Sequence, residues 1–222
     1  MPIHELIYFK PTEAVLADPT AALAPAIKFL STVNGCSGLY FGPSEEDKDV
    51  AFIVIGMSEL PTHHSLSHHN TNTPTTVWDT YDHHKAVIDT QGYPGIVGLA
   101  DTIAGNSTML HVPFRDAPEP ALGAPTTEVA VFTLKPGKTI ADVDAILASM
   151  MQEVGLEAKD DCVVGTWGQT REDAEKVVLF FGWASTKRHY EIVGQDKYKP
   201  LVGDLIGTVD IKYWHAPFKK FA

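Results

Sequence analysis

One pattern in this sequence is written twice, and it limits the fold more than any other feature. Trp78, His84 and Tyr93 recur as Trp183, His189 and Tyr198, each 105 positions later (183−78). The run His-Val-Pro-Phe at His111–Phe114 recurs as His-Ala-Pro-Phe at His215–Phe218, 104 positions later (215−111). Upstream, Cys36/Cys162, Gly42/Gly168, Glu46/Glu172, Asp47/Asp173 and Gly56/Gly182 are spaced by 126 (162−36). Internal spacing of this kind is the mark of one supersecondary unit used twice. The drop from 126 to 105 assigns 21 extra residues (126−105) to the first half, between Gly56 and Trp78.

The local signals run in the same order in both halves. Ile3–Lys10 alternates as a strand, with Ile3, Glu5, Ile7 and Phe9 on one face and His4, Leu6 and Tyr8 on the other. Asp18-Pro19 starts a helix carrying Leu23, Ile27 and Leu30. Ser37–Phe41 and Val50–Ile55 read as strands, joined by an acidic turn that reads as a solvated hairpin connection. Thr80 caps a helix bearing Tyr81, His84, Val87 and Ile88, a shorter helix is expected over about Ile96–Ile103, and Ser107–Val112 is a strand. In the second half Glu128–Lys135 is a strand. Thr139 and Asp142 form a capping box for a helix that Gly155 is expected to close. Val163–Trp167 and Lys176–Trp183 are strands, with a second acidic turn at Arg171–Glu175. Helices bearing His189 and spanning Leu201–Ile206 follow, then the strand Val209–His215.

Strand, helix, strand, strand, helix, strand is the ferredoxin-like order. Helices cover one face of such a sheet and leave the other bare, so two units gain by packing the bare faces together. The expected fold is therefore α+β: two tandem ferredoxin-like repeats whose sheets form a barrel within one chain. The first repeat spans 1–114 with a His-rich insertion at 57–77. A Pro/Ala linker covers 115–126, and the second repeat spans 127–222.

Several function classes are disfavoured. A net charge of −11 argues against nucleic acid and against an anionic membrane surface. No apolar run reaches the length of a membrane span, and no signal peptide is expected in the opening Met1–Glu5, which lacks a basic region followed by an apolar stretch. Two cysteines at matched positions read as reduced, which fits a cytoplasmic protein. No phosphate-binding glycine loop, GxSxG or HExxH is present. His63, His64, His68 and His69 in the insertion are loosely spaced with no interleaved Cys or carboxylate. They read as a solvated lid loop, and no metal site is expected.

The opening His4-Glu5-Leu6-Ile7-Tyr8-Phe9-Lys10 and the segments Trp78-x5-His84 and Trp183-x5-His189 resemble the dimeric α+β barrel superfamily. That group includes antibiotic-biosynthesis-type monooxygenases, stress-responsive barrel proteins and a polyketide cyclase. The resemblance implies a pocket between sheet and helices and His/Tyr acid–base chemistry without a cofactor. The substrate would be a small apolar aromatic or polyketide-like molecule. Carried over by position, His4, Tyr81 and His84 are the catalytic candidates, with Trp78, Tyr8, Tyr93 and His111 lining the substrate site. His189, His215 and Trp183 are candidates in a second-half pocket. Aligned through Lys10-Pro11 and Lys135-Pro136, His4 falls opposite Val129, so the working pocket is expected in the first half. Bland readings stand beside these: Trp78 and Trp183 as core plugs, His111 and His215 as turn anchors. Two alternatives stay open. One is a haem protein with His189 or His84 as axial ligand, the other a non-catalytic stress-responsive carrier. The chain is expected to act as a monomeric pseudo-dimer or as a homodimer.

Overall fold

The computed structural model describes residues 3–33, 35–57, 95, 97–157 and 162–222. The insertion and Trp78, Tyr81, His84 and Tyr93 lie outside the described residues.

The first half supplies β1 (Ile3–Pro11), α1 (Glu13–Ala17), α2 (Pro19–Leu30), β2 (Cys36–Pro43), β3 (Ala51–Met57) and β4 (Ile103–Val112). A one-turn helix α3 (Glu119–Leu122) follows. The second half supplies β5 (Thr126–Leu134), α4 (Ile140–Glu157), β6 (Cys162–Gln169), β7 (Lys176–Trp183), α5 (Thr186–Val193), α6 (Lys199–Thr208), β8 (Val209–Ala216) and a short β9 (Lys219–Lys220). One sheet has the order β4-β1-β3-β2-β9 and the other β6-β7-β5-β8. Read in the opposite direction, the second is β8-β5-β7-β6, the same antiparallel ferredoxin-like order as the first.

Helix starts are set by side chains that satisfy otherwise orphaned amides. Asp18 accepts from the Ala21 amide at 3.0 Å, with Pro19 in the first turn of α2. Thr139 and Asp142 cap α4 reciprocally, and Ser185 accepts from the Arg188 amide to start α5.

Strand alternation sorts the core into three layers. Ile7, Phe9, Leu39, Ile53 and Ile55 pack under α2. Ala130, Phe132, Leu179 and Phe181 pack under α4, α5 and α6. The opposite faces meet each other: Leu6, Phe52, Val54 and Leu110 of the first sheet lie against Val129, Val131, Val178 and Phe180 of the second. Each such side chain contributes about 1.5–3 kcal/mol on burial, so parting the sheets would expose the middle layer at large cost. The chain also crosses over after each last strand. The Arg115 amide donates to the Trp167 carbonyl, and β9 pairs with β2. Each half thus closes an edge of the other's sheet. Among the described residues no helix is long and apolar enough to cross a membrane.

Four details differ from the sequence reading. Residues 97–102 form turns, and Ile103 opens β4, where a helix over Ile96–Ile103 was expected. Gly98 has φ of 79° and lies so close to Pro25 and Ala26 that a Cβ would meet their backbone at 2.7 Å. That conformation and that contact exclude helix there. Helix α4 runs through Gly155 to Glu157. The expected linker carries α3, with Ala121 and Leu122 buried in the middle layer. Finally, strand register sets Glu5 opposite His111 and Ile55, and Glu128 opposite His215 and Phe181. Glu5 therefore matches Glu128, and His4 matches Thr127 rather than Val129. The Lys-Pro motif is displaced between halves: Lys10 lies five positions after Glu5 (10−5), Lys135 seven after Glu128 (135−128).

Candidate functional site

The second half builds a pocket between its sheet and α4, α5 and α6. Three elements deliver its polar groups. Glu128 points to the helix side of β5, His215 ends β8 on the same side, and His189 sits one turn into α5, where the Ser185 cap fixes the helix start. His189 Nδ1 lies 2.7 Å from His215 Nε2. His189 Nε2 lies 3.6 Å from Glu128 Oε2, within ion-pair range but beyond a hydrogen bond. Trp183 Nε1 donates to the same carboxylate at 3.2 Å, and its indole stacks on the His189 ring with centroids 4.6 Å apart.

A fourth group arrives from the other half. Glu46, in the β2–β3 turn, accepts from the His215 amide at 2.8 Å and from His215 Nδ1. A carboxylate only accepts, so this contact assigns the protons along the chain. With both rings neutral, His215 carries hydrogen on Nδ1, its Nε2 accepts from His189 Nδ1–H, and His189 Nε2 is left with a lone pair. The result is a Glu46–His215–His189 relay whose open end is the nitrogen beside Glu128.

The open end meets a cavity of about 460 Å³. Its walls are mainly apolar, including Phe132, Met150, Met151, Leu179, Trp183 and Ile211, with Glu128, Lys135, His189, Tyr190, Asp210 and Tyr213 as polar lining. Burial lowers the His189 pKa, against the opposing pull of Glu128, so the ring is neutral at neutral pH. Partial burial works against ionisation of Glu46, but the His215 hydrogen bonds outweigh it and hold its pKa below the ordinary range. Tyr190 is pushed up to about 12 by local burial of its hydroxyl, by a hydrogen bond with Tyr213 and by the Glu46 and Glu128 charges. The residue is 47% exposed, and its hydroxyl stays protonated and able to donate.

The first half repeats the framework. His111 donates its amide to Glu172 Oε2 at 2.9 Å and pairs through Nδ1 with Glu172 Oε1 at 2.5 Å. Its Nε2 lies 3.9 Å from Glu5. Here too the clamping carboxylate belongs to the opposite half, and Glu172 is held below the ordinary range by His111 despite the opposing effect of burial.

The expected site residues are therefore dispersed. His189, His215 and Trp183 converge on one pocket. His111 occupies the matching place in the first half. His4 and Tyr8 face the other sheet: His4 Nε2 is 3.3 Å from Glu119 and its ring is edge-on to Phe114, while Tyr8 lies against Trp214. Glu46, Glu128, Glu172, Tyr190 and Tyr213 were not among the expected residues. The acidic turns had read as solvated connections, whereas Glu46 and Glu172 reach across the barrel. The signal available was their recurrence at one spacing in both halves.

No family model matches the chain, and no curated protein matches it. Solved structures do. A candidate monooxygenase from Fusobacterium nucleatum subsp. nucleatum ATCC 25586 superposes over 99% of this chain and 93% of its own, with a TM-score of 0.62 at 13% identity. An anthrone oxidase-like protein superposes over 100% and 93%, with a TM-score of 0.63 at 10% identity. The fold is that of the dimeric α+β barrel. A heme-binding protein from Thermus thermophilus shares it over 98% of this chain and 90% of its own, at 9% identity and a TM-score of 0.52. At these identities the barrel likeness is one of fold.

Proposed function

We propose that the chain is an enzyme that works without a cofactor on a small apolar molecule, aromatic or polyketide-like, held in the second-half pocket. The observation that carries this reading is the relay ending in an unprotonated nitrogen at the wall of an apolar cavity. His189 Nε2 takes a proton from a phenol or an activated methylene. Glu128 then faces an imidazolium and stabilises it, while His215 and Glu46 hold the ring in its proton-accepting tautomer. Tyr190, still protonated, donates to the oxygen on which negative charge develops. A substrate anion formed this way is the starting point for cyclisation, for a lyase step, or for reaction with dioxygen. The barrel relatives include a candidate monooxygenase and an anthrone oxidase-like protein, which favours the last.

By sequence position His84 matches His189, so we extend the proposal to a related centre in the first half, with Tyr81 and His84 beside the His111 framework. His4 is assigned to packing between the sheets. His189 Nδ1 is engaged by His215 and its Nε2 stands beside the Glu128 carboxylate, an arrangement that favours proton transfer over axial ligation of haem.

The test is a screen of anthrones, phenols and poly-β-ketones by mass spectrometry, with chelator present. Turnover by the wild type and a loss of about a hundredfold or more in His189→Ala are expected. Binding without turnover across the screen would favour the carrier reading, and a Soret band in the purified protein would overturn the cofactor-free one.

A further inference from the structure

We propose that Glu128, His189 and His215 also form a binding site for a divalent transition metal of the zinc class. A donor atom from each of the three lies within 4.8 Å of the other two. Two imidazoles and one carboxylate are a ligand set that zinc and its neighbours accept at short range. All three groups are held before any metal arrives. His215 is fully buried and His189 is 7% exposed. Glu128 is fixed by the Trp183 indole N–H.

The surroundings also match what a metal needs. Glu46 on His215 Nδ1 is an outer carboxylate behind a ligand imidazole, which leaves Nε2 as the donor atom and fixes its direction. The two facing ring nitrogens, 2.7 Å apart, must part by about 0.7 Å to reach a common ion, since two ligands at about 2.1 Å and the tetrahedral angle are about 3.4 Å apart, and His189 Nδ1 gives up its hydrogen as the metal enters. The adjoining cavity leaves room for water or another small ligand to complete the coordination. The three donors come from three separate elements, and in sequence no two are closer than the 26 positions between His189 and His215. No short spacing motif could reveal them. The inference stands on donor geometry and not on the proposed reaction. On that reaction, the metal would occupy the groups that move the proton, and so would inhibit.

The test uses full-length protein stripped with EDTA and desalted, and Co²⁺ as the probe. Visible d–d bands of a nitrogen- and oxygen-ligated ion are expected on titration, and Zn²⁺ should erase them. The bands should be lost in His189→Ala, while Glu128→Gln, which keeps the size of the side chain and an oxygen for Trp183, should weaken Co²⁺ binding by about tenfold or more. A variant with His63, His64, His68 and His69 all changed to Ser should keep them. Far-UV circular dichroism checks each variant's fold. Absence of the bands in the wild type, their survival in His189→Ala, an unchanged affinity in Glu128→Gln, or their loss in the four-histidine variant would each overturn the proposal. Because the readout is spectroscopic, a failed activity screen leaves it intact, and absent bands leave the proton-transfer reading intact.

Discussion

The two halves carry the same latch with different contents. In the first, Glu172 clamps His111, and His111 Nε2 looks toward Glu5 across 3.9 Å. In the second, Glu46 clamps His215, but His189 lies beyond it, at 2.7 Å from His215 and 3.6 Å from Glu128. Tyr213 lines the second pocket where the matched position of β4 is Met109 (213−104), and Tyr190 corresponds to Lys85 (190−105). The clamp is thus common framework, and phenols at these two positions are particular to the second half. In both halves the clamping carboxylate is donated by the opposite half. Neither pocket's histidine is positioned by its own repeat alone, which ties the site to sheet-on-sheet packing.

The largest effect should come from His215→Ala. It removes a buried ring, leaves Glu46 and His189 without their partner, and opens a cavity. A loss of about 2–4 kcal/mol is expected, seen as a fall of roughly 4–16 °C in Tm by calorimetry for a chain of this size, together with loss of turnover. A variant as stable as wild type would mean that the latch contributes nothing.

Glu46→Gln and Glu172→Gln sharpen the comparison. Both should lower stability. Glu46→Gln should lower kcat the more, by about tenfold or more, since it alone backs the His189 relay. Equal kcat losses would mean that the two halves contribute equally to turnover. Acid sensitivity follows with a definite sign. Both carboxyls have folded pKa values below their unfolded ones, so their stabilisation is complete above the ordinary carboxylate range and is lost as pH falls through the depressed folded values. Tm measured against pH should therefore fall less steeply on the acid side in each variant than in wild type. An unchanged slope would deny the linkage.

The smallest effect should come from Tyr213→Phe. Without the hydrogen bond that its hydroxyl donates to Tyr213, Tyr190 should titrate lower, from about 12 toward the ordinary value near 10. Ultraviolet titration of tyrosinate reads this directly. No movement would show that burial and the carboxylates set the shift by themselves.

Much of the architecture was legible in the residues. Repeated Trp, His and Gly spacings announced two copies of one unit, and the β-α-β-β-α-β order announced the sheet topology, because hydrophobic period and capping act over a few residues. The alternation of β1 put His4 and Glu5 on opposite faces before any coordinates. Which face helices would cover was a different matter. That depends on how the whole sheet docks, and the answer reverses the roles: Glu5 lies on the helix side and His4 in the middle layer. Register was equally hidden, since the stretch from the matched glutamate to Lys-Pro is two residues longer in the second half, and the Lys-Pro alignment therefore pointed to Val129.

The site shows the same division. The residue order alone shows that His189, His215 and Trp183 recur in a fixed frame, and that Glu46 and Glu172 are copies of one position. Only the tertiary structure decided that Glu46 meets His215 across 169 residues of chain, and that this contact orders the protons through to His189. Local pattern reflects short-range energetics. A hydrogen bond depends on a few tenths of an ångström between groups from separate elements, and that distance exists only once both sheets have closed on each other.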